Sequence, residues 1–211
     1  MTKDKNTCNR NARRTRALIE GAFLELIKEK PYTKISVREI TERADINRST
    51  FYLHYLDIYD LLDQIESGVT DSIEKALMEI RREDYVPGKH PFHVHVFREL
   101  MQHEDIFRIL FSKNGDIDFI YRLATTMGEG LYKGWSSYFG DNVPKNLEMY
   151  VSYITFGMIG VLLKNLQLDC CWEPEEMGHL AGEVTNWLDE GLRGSDVKTK
   201  HQTRWEVEEE D

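Results

Sequence analysis

The sequence predicts an all-α fold of about nine helices, and three observations carry this. Apolar residues recur at three- and four-residue spacing along most of the chain. No segment alternates apolar and polar residues between hairpin dipeptides, so strands have no signal. The prolines, with Gly88, Gly115, Gly140 and Gly194, fall at the breaks between the periodic segments, where helices stop and start.

The first helix is expected over 10–30. Leu18, Ile19, Ala22, Phe23, Leu26 and Ile27 form its buried stripe, and Pro31 stops it. A second, short helix opens at Ser36 and ends near Ala44. Ser36-Val37-Arg38-Glu39 reads as a capping box, with serine hydroxyl and glutamate carboxylate each satisfying the other's backbone N–H. A third is expected over 47–55 with Asn47 as N-cap, and a fourth over 57–82. Tyr85-Val86-Pro87-Gly88-Lys89-His90-Pro91 is the clearest break. Beyond it, helices are expected at 92–103, 104–112, 116–139, 144–168 and 174–193. Gly115 and Gly140 would serve as C-caps, and Pro144 and Pro174 would sit at helix starts.

The chain carries a net charge of -10, but unevenly. Residues 1–56 hold 12 Lys/Arg against 7 Asp/Glu, whereas the remainder holds 15 against 30. A small basic head on an acidic body is expected if only the head meets phosphate. The chain therefore divides into a head over 1–56, a helical body over 57–193 and a charged tail over 194–211, expected to be poorly ordered. No run reaches the ~18 uninterrupted apolar residues of a membrane span, and the N-terminal residues lack the apolar core of a secretion signal. With Cys8, Cys170 and Cys171 as the three cysteines, a reduced, cytoplasmic setting is expected, without membrane association.

Two short helices joined by three residues and resting on a longer one form a helix-turn-helix. Val37, Ile40, Thr41 and Ala44 give the second helix an inward face, Ile46 plugs the turn, and Phe51 and Tyr55 anchor the third helix. Asn47, Arg48, Ser49, Thr50, Leu53 and His54 are left at or near the outward face. Guanidinium, hydroxyl and apolar groups of this kind suit a DNA major groove.

The run Tyr32 to Leu62, YTKISVREITERADINRSTFYLHYLDIYDLL, resembles the DNA-binding domain of the TetR repressors. With the preceding helix the resemblance covers about the first 65 residues. It implies an all-helical fold, dimerisation through the last two long helices, and a C-terminal domain that binds an inducer. Position by position, it implies that Arg38 and the cap residue Ser36 meet DNA from the second helix, Arg38 at backbone or base. Asn47, Arg48, Ser49 and Thr50 would lie at the major groove. Tyr52, His54 and Thr33 would hold phosphates, and Arg10, Arg13, Arg14 and Arg16 could steer the backbone. Two positions depart from the family. Asp45 replaces the usual turn glycine and tolerates a left-handed conformation. Tyr59 replaces a phosphate-facing lysine, which exchanges a charge for one hydrogen bond.

In the body, Gly157, Gly160, Gly178 and Gly182 lie inside helices, where glycine costs up to ~1 kcal/mol. Close helix approach would explain them, at a homodimer interface or, as the alternative, within one subunit. Phe97, Phe107, Phe111, Tyr121, Trp135, Tyr153 and Phe156 are candidate walls of a pocket for a small-molecule inducer, although more of the body's aromatic rings are expected to be plain core. His90, His93, His95 and His103 lack metal-ligand spacing, and the cysteines specify no chemistry. No phosphate loop, nucleophile–base pair, metal signature or cofactor motif points to an enzyme. The expected function is a repressor that binds double-stranded DNA at a palindromic operator as a homodimer, released by an inducer.

Overall fold

The computed structural model describes residues 3–79, 91–167 and 172–194. Among these residues the fold is all-helical: α1 (Lys3–Glu29), α2 (Val37–Arg43), α3 (Arg48–Tyr52), α4 (Ile58–Glu79), α5 (Pro91–Met101), α6 (Glu104–Leu110), α7 (Phe119–Phe139), α8 (Leu147–Gln167) and α9 (Pro174–Gly194). Short 3₁₀ turns at Tyr32–Lys34 and Gly140–Asn142 precede α2 and follow α7. The expected tail after 194, Cys170, Cys171, His90 and the end of the fourth helix lie outside the described residues, as does the side chain of Cys8.

Several boundaries differ from expectation. α1 begins seven residues earlier, at Lys3. α7 begins at Phe119 rather than 116, because Asp116 to Asp118 form a turn in which Asp116 accepts from the Asp118 N–H at 3.1 Å. α8 begins at Leu147, and Pro144 lies in the preceding turn, accepting from the Leu147 N–H. Gly115 does not cap α6, whose C-cap is Phe111. A Cβ at Gly115 would lie 2.2 Å from the Leu110 carbonyl, so the residue serves a close approach. Gly140 caps α7 at φ +59°.

α5 packs on α9, α7 on both α4 and α8, and α4 also on α5; α1 carries α2 and touches α6. The buried apolar residues form one continuous cluster from Ile19 to Ala181. α4 runs through its centre, with Leu61, Leu62, Ile65, Val69, Ile73 and Leu77 buried. The head is thus joined to the body through a shared core. A second link is the Tyr32 N–H, which donates to the Asn114 carbonyl at 3.1 Å.

α8 is long and apolar enough to cross a bilayer by length and composition alone, although no uninterrupted apolar run announced it. Its buried side packs against α7 and α9. Its other side exposes Met149, Tyr153 and Phe156.

Candidate nucleic-acid interface

The head is built outward from α1. Ile19, Phe23, Leu26 and Ile27 are buried there and receive Ile40 of α2 and Phe51 of α3, both wholly buried. Ser36 starts α2 with a complete capping box. The Glu39 N–H donates to Ser36 Oγ at 3.4 Å, and the Ser36 N–H donates back to the Glu39 carboxylate at 3.0 Å. Lys30 donates to the same carboxylate at 2.5 Å. The Lys30 and Ser36 hydrogen bonds hold the Glu39 pKa down at about 2. Ser36 is therefore occupied in the cap.

The turn follows from one residue's backbone. Asp45 takes φ +51°, which lets the Ile46 N–H reach back to the Thr41 carbonyl at 3.0 Å. Asparagine and aspartate accept this left-handed region better than other side chains. α3 then begins after Asn47. That residue occupies the N-cap position through its backbone, and its side chain makes no capping hydrogen bond. Phe51 and Tyr55 pin the helix inward. The Tyr55 phenol donates to Glu20 of α1 at 2.8 Å, and burial together with this carboxylate pushes its pKa up.

With those two rings inside, Asn47, Arg48, Ser49, Tyr52 and Leu53 are exposed, while Thr50 and His54 are half-buried. Residue 52 lies three and four positions from 49 and 48, so it stands beside both on the helix surface. Arg38 is exposed but already paired with Glu42 at 2.6 Å. Thr33 and the four arginines of α1 (10, 13, 14 and 16) are exposed. Tyr59 is exposed too, edge-on to Tyr32 with ring centroids 6.2 Å apart.

The body divides its candidates between core and surface. Phe97 and Phe107 are wholly buried, and Phe107 stacks on both Phe111 and Phe119, so these rings are packed core. Trp135 is buried and Tyr153 faces outward. Tyr121 and Phe156 line one groove together, a space of about 690 Å³ between α7 and α8, with their rings 5.9 Å apart. The glycines divide as well. A Cβ at Gly178 would stand 2.5 Å from the backbone of Val94, so this glycine lets α9 approach α5 within one subunit. Gly182 is buried in the same helix. Close packing inside the chain accounts for Gly178. Gly157 and Gly160 instead face open space on α8.

One cluster escaped the sequence reading. Glu66 of α4 is buried, and Arg122 of α7 donates to it and, at 2.8 Å, to Asp116. Burial, outweighing Arg122, lifts the Glu66 pKa to about 7. The available signal was a carboxylate set within the apolar stripe Leu62, Ile65, Val69 and Ile73.

Comparison with known proteins places this architecture. Residues 18–65 match the model for bacterial regulatory proteins of the tetR family, and residues 90–187 match that for a transcriptional regulator C-terminal region. The HTH-type transcriptional regulator YxbF of Bacillus subtilis (strain 168) is 25% identical over 191 residues, covering 86% of this chain and 46% of that protein. An HTH-type transcriptional regulator of Haemophilus influenzae is 29% identical over 114 residues, 52% of this chain and 54% of that protein. The chain thus spans about half the length of the curated relatives it matches. The crystal structure of a TetR transcriptional regulator from Streptococcus agalactiae 2603V shares the fold. It aligns at TM-score 0.60 and 22% identity over 86% of this chain and 98% of that one. A TetR-family regulator from Syntrophomonas wolfei aligns at TM-score 0.59 and 19% identity over 85% and 97%. Two matched family models in register, around a capped helix-turn-helix on a helical body, establish that the chain belongs to the tetR family of bacterial regulatory proteins, a family of transcriptional regulators and not of enzymes.

Proposed function

We propose that the chain is a cytoplasmic, ligand-responsive repressor that binds a palindromic operator in double-stranded DNA as a homodimer. The observation that carries this is the outward face of α3. Arg48, Ser49 and Tyr52 are exposed there while Phe51 and Tyr55 are buried, and the head bearing them is basic on an acidic body. Arg48 supplies a guanidinium for guanine or phosphate, and Ser49 and Thr50 offer hydroxyls. Tyr52, His54 and Thr33 hold phosphates. Tyr59 adds one hydrogen bond where a lysine would add a charge. Arg38 must leave Glu42 to reach DNA.

A second copy explains α8. This helix exposes Met149, Tyr153 and Phe156, and after them Gly157 and Gly160 face open space, while α9 exposes Leu180 and Trp187. Burying these residues against their own copy is a two-fold interface, which sets two recognition helices for a symmetric site. The groove holding Tyr121 and Phe156 is the best-supported seat for an inducer. α7 contributes to that groove and also packs on α4, which leads directly into the head. A ligand that favours one α4–α7 arrangement shifts the head only by its differential affinity for the two states.

The test is a gel-shift titration on DNA upstream of the chain's own gene, with a promoter-reporter readout. Retardation at submicromolar dimer and reporter repression are expected. No retardation at micromolar dimer would overturn DNA binding, and reporter activation would overturn repression.

A further inference from the structure

We propose that the cleft where α4 and α7 meet the head is a binding site for an organic ammonium ion, seated on the carboxylate of Glu66. The cleft, about 500 Å³, is lined by Tyr32, Tyr59, Asp63, Glu66, Asp116 and Arg122 among others. A second space of about 410 Å³ lies beside it and shares Asp63, Glu66 and Arg122. Glu66 is only 4% exposed. One carboxylate oxygen, Oε2, accepts from Arg122, whereas Oε1 is buried without a hydrogen-bond partner. A buried acceptor left without a donor costs about 1–3 kcal/mol, more when charged. When the carboxyl ionises Oε1 is left without a donor, and an ammonium N–H would supply one in place of the proton that burial otherwise keeps on Glu66.

The surroundings choose the ligand's chemistry. Asp57, Asp60, Asp63 and Asp116 join Glu66 along the cleft, against the single guanidinium of Arg122. Arg122 is already divided between Glu66 and Asp116. The field is net negative, so an anion is disfavoured. No group of three His, Cys, Asp or Glu among the described residues could hold a metal ion. The carboxylates are spread along the cleft rather than gathered at a point, which suits an elongated cation with more than one N–H donor. Tyr32 and Tyr59 stand edge to face at the rim and offer ring faces to an ammonium or its alkyl chain.

The site draws residues from both parts of the molecule. Tyr32 belongs to the turn before α2 in the head, while Tyr59, Glu66, Asp116 and Arg122 belong to the body. An occupant would therefore bridge the head and α7. Binding itself does not depend on any role in DNA recognition, so failure of one leaves the other standing.

The probe is 1,4-diaminobutane, titrated calorimetrically into the full chain at fixed ionic strength. Saturable uptake of one molecule per chain is expected, weakened at least tenfold by Glu66→Gln and several-fold by Asp63→Asn, which alters an exposed rim residue. Butylamine should bind more weakly than the diamine, and magnesium chloride of equal charge should not reproduce the effect. Absence of saturable uptake at millimolar diamine overturns the proposal. So does uptake mimicked by magnesium, or unchanged affinity in Glu66→Gln that retains its helical circular dichroism. Should that variant not fold, unchanged affinity in Asp63→Asn decides against the site.

Discussion

Arg122 reaches from α7 to two carboxylates at once, Glu66 on α4 and Asp116 in the turn before its own helix. Burial still dominates at Glu66, whose pKa rises from 4.5 to about 7, with Arg122 opposing and Asp116 and Asp63 adding to the rise. The folded chain thus holds this proton more tightly than the unfolded chain. The stabilisation is complete below about pH 4.5 and is lost as pH rises through about 7. Denaturant unfolding should show wild type losing on the order of 2–3 kcal/mol more than Glu66→Gln between pH 5 and pH 8. His103, whose pKa burial lowers, titrates in both proteins and cancels in the difference. Parallel pH profiles would exclude a buried, proton-holding Glu66.

Asp45 holds φ +51° in the helix-turn-helix. Relief of a left-handed conformation, worth ~1–2 kcal/mol, is partly offset by the freedom glycine adds to the unfolded chain. Asp45→Gly should therefore stabilise by less than ~1 kcal/mol. Asp45→Val, branched at Cβ, should destabilise by ~2 kcal/mol or more, because this region is an outlier for such side chains. Thermal melts of the three proteins order them, and a valine variant as stable as wild type would show the turn to be unstrained.

Gly178 and Gly157 sit in neighbouring helices and should respond oppositely to alanine. At Gly178 the new methyl meets the Val94 backbone at 2.5 Å, and overpacking of this kind costs ~1–3 kcal/mol. At Gly157 nothing lies within 4 Å, so one subunit gains up to ~1 kcal/mol of helix propensity. If a second copy packs on α8, that gain is traded for weaker association. Sedimentation of Gly157→Ala over a dilution series would then show dissociation at higher concentration than wild type. Unaltered self-association would place the interface elsewhere.

How much of this was legible depends on how local each cause is. The capping box at Ser36, the turn at Asp45 and the inward rings Phe51 and Tyr55 are set by spacings of a few residues, and the structure places each where the spacing put it. Aromatic residues of the body were legible only as apolar. Whether a ring such as Phe107 fills the core or walls a groove depends on α7 and α6 meeting across a turn, which no local pattern encodes. The glycines fail for a similar reason. Gly178 and Gly157 look alike in sequence, yet one meets Val94 from a helix more than eighty residues away and the other meets open space. The Glu66–Arg122 pair, 56 positions apart, is visible in one chain only as a carboxylate out of place in an apolar stripe.

Arg48 and Arg38 separate the two kinds of DNA contact the head can make. Arg48 is exposed at the start of α3, beside Ser49, with its guanidinium available to a base edge. Arg38 is held by Glu42, and it can contact DNA only after giving up that exposed pair, whose loss costs little. Arg48→Ala should therefore weaken operator binding by ~1–3 kcal/mol and relax sequence preference at one position of each half-site. Arg38→Ala should weaken specific and non-specific DNA alike and flatten the salt dependence. Glu42→Gln supplies the complementary arm, because freeing Arg38 should strengthen binding modestly at low salt. The three variants are distinguished by fluorescence anisotropy on operator and scrambled duplexes across a salt series. An Arg48→Ala protein that loses the same affinity on both duplexes would move the base-reading role away from α3's first turn.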